Sequence, residues 1–370
     1  MAEGRESVAY ALPFCAGTVT GIFICGYRVL HRTESYLAAS ISSAACLILL
    51  AAWFFGREKT RGLCGIAPVA AAMFFCGILC WSSHALGELS VPGDRKTLAE
   101  ELASPAAAWL KSSIDSLPLR DYGSNALIKA LVTGDRSDVP ESTEAAFRDS
   151  GASHILALSG MHLAVIYMIL SKILSVFGQS RPADKVRFAI ILGSTFFYSV
   201  MTGSSPSIIR AFLFITLRET ALLTGRKARP ANILCSSLTI QCALSPPVIT
   251  SASFQLSYLA MCGIYFLYPA LRDLYPAGVP VIKKIWDSAA MSIACQAFTG
   301  PLAWLLFGSA PAYFIITNLI AVPLSSALML AALAAAFLYR AGLCPDFIIR
   351  GIDMATVFLV DCLKVICQLP

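Results

Sequence analysis

The chain has 370 residues, of which 57% are hydrophobic and only 14% charged, and its mean hydropathy is +0.71. Soluble domains carry about 25% charged residues, so this composition excludes an ordinary soluble globular protein and points to many membrane spans. The formal net charge of +6 does not by itself imply a nucleic-acid partner. Much of the positive excess sits in short connections between apolar runs, where any polytopic membrane protein needs it.

Runs of about 20 apolar residues are expected to span at 8–27, 36–55, 63–83, 154–177, 188–203, 206–224, 231–249, 254–271, 288–308, 312–339 and 352–369. The first run is span-length, so no cleavable signal peptide is expected. The run 312–339 contains Asn318 and Pro323, which predict a broken or re-entrant helix. The expected class is an all-α polytopic transmembrane helical bundle. The 13 Cys show no C-x-x-C pair and read as small buried hydrophobes, so neither a metal site nor a cofactor is expected.

Basic connections at 181–187, 225–230, 272–284 and 340–350 alternate with uncharged ones at 202–207, 245–253 and 308–312. The basic set is expected in the cytoplasm and the neutral set outside. Counting back places 84–153 outside and the N-terminus inside, with Arg28 and Arg32 fitting this pattern less cleanly. Segment 84–153 is the one sizeable polar stretch. It carries the amphipathic "LAEELASPAAAWLKSSIDSL" and the turn-rich "TGDRSDVPESTEAAFRDSGAS", read as one or two interfacial helices and a loop. No alternating strands occur there. The expected organisation is N-terminal transmembrane helices at 1–83, a short external amphipathic segment at 84–125 and a transmembrane core at 126–370.

Polar groups inside apolar runs are costly and face a bundle interior or a water-filled path. In "SHILALSGMHLAVI" (153–166), Ser159 and His162 are spaced i,i+3 on one helix face, His154 lies two turns earlier, and Gly160 admits a close neighbour. This pattern fits a polar patch on a substrate path, a helix-packing seam, or a serine hydrolase in which "ALSG" stands for G-x-S-G. A two-His metal site is also open, although it lacks a third ligand. No His follows His162 to serve Ser159 as a base on a later helix. Arg210 lies one turn into a helix opened by Pro206 and capped by Ser204 or Ser205. Gln255 and Ser257 begin another span, and Asn318, Ser325 and Ser326 interrupt a third. Arg350, Asp353, Asp361 and Lys364 share one self-neutralising stripe of the last helix, read as structural.

Four segments together resemble a known family. "ALVTGDRSDVPESTEAAFRDSGASHILALSGMHLAV" resembles the HLLAISGLH region of ComEC-type competence channels with its "GDR" lead-in. "TGSSPSIIRAFLF" resembles that family's TG-x-SPS-x-x-RA segment. "FQLSYLAMCGI" and "FGSAPAYFIITNLIAVPL" resemble two further motifs, in the family's order. The resemblance implies an inner-membrane channel passing single-stranded DNA into the cytoplasm of transformable bacteria, with no chemistry of its own. It places Asp135, Arg136, His154, Ser159, Gly160, His162, Arg210, Gln255 and Asn318 in the shared core, with Pro206 and Pro323 shaping helices. It also implies separate receptor, nuclease and motor proteins as partners, and leaves a homo-oligomer open. Members often carry an external OB-type domain and a C-terminal metallo-β-lactamase-like nuclease domain. The 84–125 slot is too short for the first, and no H-x-H-x-D-H motif marks the second, so no nuclease activity is expected of this chain. For the strand itself, Arg136, Arg148 and Arg210 are candidate phosphate contacts. Tyr167, Phe254, Tyr258, Tyr313 and Phe314 are candidate stacking residues. A transporter of another solute on the same core remains the alternative, ahead of a hydrolase using Ser159.

Overall fold

The computed structural model describes residues 2–25, 37–46, 48–49, 63–90, 98–177, 181–275, 279–308 and 313–368. Among them the only regular structure is helical. The α-helices are α1 (Ala2–Cys25), α2 (Leu37–Cys46), α3 (Leu63–Ser90), α4 (Leu98–Asp115), α5 (Tyr122–Thr133) and α6 (Glu141–Asp149). They continue with α7 (Ser153–Leu156), α8 (Gly160–Leu174), α9 (Arg181–Met201), α10 (Pro206–Leu223) and α11 (Pro230–Leu244). The last five are α12 (Ala252–Phe266), α13 (Tyr268–Asp273), α14 (Pro280–Phe307), α15 (Phe314–Arg340) and α16 (Asp346–Cys367). The chain divides into two compact units, one of residues 1–95 and 216–255, the other of 96–215 and 256–370.

In the first unit, α1 and α3 pack along a glycine seam. A Cβ on Gly17 would run into the Phe74 carbonyl, and one on Gly77 into that of Phe14. Gly17 and Gly21 form a G-x-x-x-G pair, the spacing that lets two membrane helices touch through their backbones. Beside the seam, Ala38, Ile78 and Trp81 form a small buried cluster. The Ser7 hydroxyl donates to Asn232 Oδ1 at 3.0 Å, tying α1 to α11.

In the second unit, α4 to α7 wrap the C-terminal half of α15 and one face of α16. Their shared core includes Leu110, Ile114, Leu127, Leu131, Phe147 and Ile155 against Leu328, Ala332, Ala335, Ala336, Leu359 and Leu363. The alanines recur at i+3 and i+4 along α15, so one narrow stripe admits the surrounding helices closely. Asp121 caps α5 by accepting from the Gly123 amide, and Gly134, at φ 80°, ends it. Lys129 bridges Asp115 at 2.7 Å and Asp138 at 2.8 Å. Burial opposes its charge, but the two carboxylates outweigh that cost and raise its pKa. A second cluster joins α8, α9 and α10 through Leu163, Ile191, Tyr198, Ile208 and Ala211.

Among the described residues, five helical stretches are long and apolar enough to cross a membrane: Ser7–Ile24, Ala67–Leu86, Ala252–Asp273, Pro280–Phe307 and Phe314–Arg340. The chain is therefore an all-α, multi-pass membrane protein. Several expected spans take other forms. The run 154–177 breaks at 157–159 into α7 and α8. The run 231–249 becomes α11 and a 3-10 turn, Pro246–Thr250. Helix α16 is amphipathic: Asp346, Arg350, Asp353, Asp361 and Lys364 gather on one side, away from the buried Ile352, Leu359 and Leu363. The run 36–55 is described only as α2 and residues 48–49; its remainder, like Arg28, Arg32 and residues 91–97, lies outside the described residues.

Two readings are corrected. Helix α15 runs unbroken through Pro323, and the hydroxyls of Ser325 and Ser326 turn back onto the Val322 carbonyl at 3.1 and 2.8 Å. Segment 98–149 forms three helices, α4 to α6, where one or two interfacial helices and a loop are expected. They do not hang from the membrane as a loop: Arg340, ending α15, donates from Nε to Ser113 Oγ at 3.2 Å and from Nη2 to Ser112 Oγ at 3.0 Å. The end of α4 and the end of α15 lie at one level. An external 84–153 and a cytoplasmic 340–350 cannot both hold at this contact.

Candidate functional site

The break after α7 builds the site. Ala157 and Ser159 are extended, with ψ 125° and 164°, so the chain reaches Gly160 from outside the helix axis. Ser159 caps α8, its Oγ accepting from the Met161 amide at 3.3 Å. His162 Nδ1 accepts in turn from the Ser159 amide at 3.1 Å. This is a capping box with His in the place usually held by Glu or Gln. Sequence spacing put Ser159 and His162 on one helix face; the S-x-x-H pattern before an apolar run is the signal that identifies the cap instead. His162 is 2% exposed. Its Nδ1 also lies 3.2 Å from Ser159 Oγ, so the imidazole meets both the amide and the hydroxyl of the cap residue. His154, on the exposed side of α7, donates from Nδ1 to the Gly151 carbonyl at 3.2 Å.

Gly160 is where α10 reaches α8. A Cβ there would lie 3.0 Å from Arg210 Nη2 and 3.0 Å from Ala211 Cβ. The Arg210 side chain then crosses to α12, donating from Nη1 to the Ser257 carbonyl at 2.7 Å. Its guanidinium carbon lies 5.9 Å from the ring centroids of both Phe214 and Tyr258, within cation–π range. Arg210 Nε is buried and has no hydrogen-bond partner. Among the described residues no carboxylate pairs with this guanidinium. A buried cation without a counterion is costly, so the site is predisposed to accept an anionic oxygen. Phe214 escaped sequence reading, although its i+4 spacing from Arg210 is a helix neighbour's.

Two turns brace the cluster. Ser205 Oγ donates to the Leu158 carbonyl at 3.4 Å, joining the α9–α10 turn to the α8 cap. That turn is strained: Ser204, a non-glycine, sits at φ 49° after Gly203 at φ 81°. Gly134 packs against the Leu158 side chain where any Cβ would collide, which sets the "GDR" turn beside residues 157–159. Within it, Asp135 bridges Lys111 at 2.7 Å and accepts from the Ser137 amide and hydroxyl at 3.1 and 2.7 Å. The Lys111 ammonium and the Ser137 donors hold its carboxyl well below the ordinary range. Arg136 is exposed. The Tyr198 hydroxyl donates to the Val132 carbonyl at 2.9 Å, fixing α9 to α5.

The structure thus gathers Ser159, Gly160, His162 and Arg210, and sets the Asp135–Arg136 turn next to them through Leu158. Gln255 belongs to the first unit, where its Nε2 donates to the Ile249 carbonyl at 2.8 Å. Asn318 has a buried Oδ1 without a hydrogen-bond partner. It lies about 12 Å along α15 from Ser326, whose Oγ reaches Met161 Sδ at 3.7 Å. Pro206 opens α10 and Pro323 lies within α15. No group of three His, Cys, Asp or Glu side chains able to hold a metal occurs among the described residues.

Residues 131–370 match the competence protein family. The chain belongs to this family. Among curated relatives, a stretch of 213 residues is 25% identical to the uncharacterized protein YcaI of Escherichia coli K12, covering 56% of this chain and 28% of that one. A stretch of 135 residues is 29% identical to ComE operon protein 3 of Bacillus subtilis 168, covering 36% of this chain and 17% of that one. An uncharacterized protein of Aquifex aeolicus is 24% identical over 183 residues, 49% of this chain and 40% of that one. The chain therefore aligns with less than half the length of each of these relatives. No solved structure matches it. The competence-family match contains every residue of the Arg210 cluster.

Proposed function

We propose that this chain is the membrane-embedded core of a DNA-uptake channel, passing one strand into the cytoplasm across the bacterial plasma membrane, without catalysing a reaction. The reading rests first on Arg210. Its Nε is buried and keeps its donor free, no carboxylate among the described residues pairs with it, and its guanidinium carbon lies 5.9 Å from two ring centroids. A backbone phosphate satisfies the free donor, and an adjacent base can stack on Tyr258 or Phe214. Family membership and the relative named ComE operon protein 3 support the same reading. Ser159 and His162 act here as a helix cap that holds Gly160 under Arg210. A DNA receptor, a nuclease and a cytoplasmic motor are proposed as separate partners.

The test is uptake of labelled DNA by a transformable host deleted for its own channel and supplied with this chain and the host's accessory proteins. Internalised label recovered as single strands supports the reading. Absence of internal label, with the chain inserted at normal levels, overturns it in favour of a different solute.

A further inference from the structure

A cavity of about 370 Å³ opens in the second unit between the starts of α5 and α6 and the outer face of α16. It lies apart from the Arg210 cluster and is independent of the DNA reading. Ser124 lines it; this residue is only 1% exposed, yet its Oγ has no hydrogen-bond partner. Ser142 and Thr143 line the opposite wall, in the first turn of α6, a helix whose start has no side-chain cap. The Thr143 amide already donates to the Pro140 carbonyl at 2.9 Å, so the Ser142 amide and the positive end of the helix are what favour an anionic oxygen there. The unpaired Ser124 hydroxyl, buried in the wall of the same cavity, is one more donor in need of a partner.

The charges select the kind of anion. Lys364 contributes one cation to the wall, whereas Asp121 and Asp361 contribute two carboxylates. Asp121 is engaged with the Gly123 amide at 3.3 Å. Asp361 is exposed at the rim. Two carboxylates against one ammonium disfavour a bare multivalent anion but suit a group carrying both signs. The surroundings select its setting. Met354, Val357, Phe358 and Val365 of α16 are exposed, and at 100° per residue they share one face with Asp361. Val357 also lines the cavity. A polar, two-signed pocket therefore opens directly onto an uncovered apolar stripe.

We propose that this cavity binds the headgroup of a zwitterionic phospholipid with a primary ammonium, its phosphate toward Ser124, Ser142 and Lys364 and its ammonium toward Asp361. The acyl chains lie along the Met354–Phe358 face.

The full chain, purified in detergent and stripped of lipid, is titrated with phosphatidylethanolamine or phosphatidylglycerol and read by native mass spectrometry and thermal unfolding. Phosphatidylethanolamine is expected to bind about tenfold more tightly, a difference of about 1.4 kcal/mol, and to raise the unfolding temperature. Asp361→Asn, at an exposed position, should lose most of that preference, whereas Lys364→Gln and Ser124→Val should each weaken the binding of both lipids. If Ser124→Val fails to fold, Asp361→Asn still decides the question. O-Phosphoethanolamine should displace the lipid, because the headgroup makes the contacts. Equal binding of both lipids, unchanged preference in Asp361→Asn, failure of O-phosphoethanolamine to compete, or uptake of inorganic phosphate in place of lipid would each overturn the proposal.

Discussion

The guanidinium of Arg210 rests on Gly160: a methyl group at that glycine would stand 3.0 Å from Nη2 and 3.0 Å from Ala211 Cβ. One absent side chain lets α10 approach α8, and the same contact sends Arg210 across to the Ser257 carbonyl. Gly160→Ala should push α10 outward by a few tenths of an ångström, costing about 1–2 kcal/mol of stability as overpacking does. Gly160→Leu should abolish folding or insertion. Thermal unfolding of purified protein checks the first, and membrane-fraction yield the second.

The cap geometry of Ser159 predicts a structural role in place of a nucleophile's. Ser159→Ala should destabilise by about 1 kcal/mol, while Ser159→Asp, which caps without a hydroxyl, should keep most of the stability and most of the uptake. A fluorophosphonate probe should leave the wild type unlabelled. Labelling at Ser159, or loss of all activity in a stable Ser159→Asp protein, would reinstate the hydrolase reading.

The bridge from Asp135 to Lys111 gives stability a defined pH dependence. The folded carboxyl titrates below its unfolded value, so its contribution is complete above about pH 4. It is lost only as pH falls through the lowered folded value. Asp135→Asn should therefore unfold at a lower temperature than wild type by the same margin at pH 7 and pH 5. That margin should shrink below about pH 4. A margin that already shrinks between pH 7 and pH 5 would mean another group is responsible.

The Arg340 contacts with Ser112 and Ser113 predict sidedness. In a cysteine-free background, single cysteines at Ser112 and Leu343 should react with a membrane-impermeant maleimide from the same side of sealed vesicles. Reaction from opposite sides would show that α4 and the end of α15 separate in the bilayer.

Much of this was legible in the sequence, and the exceptions have physical causes. Hydropathy located the apolar runs, because a bilayer imposes length and composition directly. It could not place residues 98–149: Leu127 and Phe147 are each 0% exposed, in a core that they share with Leu328, Leu359 and Leu363 of α15 and α16, far beyond any local pattern. Counting charged loops has no access to the contact of Arg340 with two serine hydroxyls of α4, which ties the sides assigned to 84–153 and 340–350 to each other. Pro323 suggested a break, but packing of the alanine stripe on either side keeps α15 continuous. Among the site residues, spacing drew attention to Ser159 and His162 but misread a cap as a face. Arg210 stood out because a cation in an apolar run demands a reason. Its distance to Gly160, 50 residues earlier in the chain, needed the fold.

The most direct test of an Arg210-centred strand path is a photo-cross-linking amino acid placed at Tyr258 and illuminated while the cell is taking up labelled DNA. A covalent adduct with single-stranded DNA at Tyr258, absent when the same group stands at Val360 and lost in Arg210→Ala, is the expected result. DNA reaching the cytoplasm with no adduct at Tyr258, or with uptake unaltered in a normally inserted Arg210→Ala protein, would contradict it.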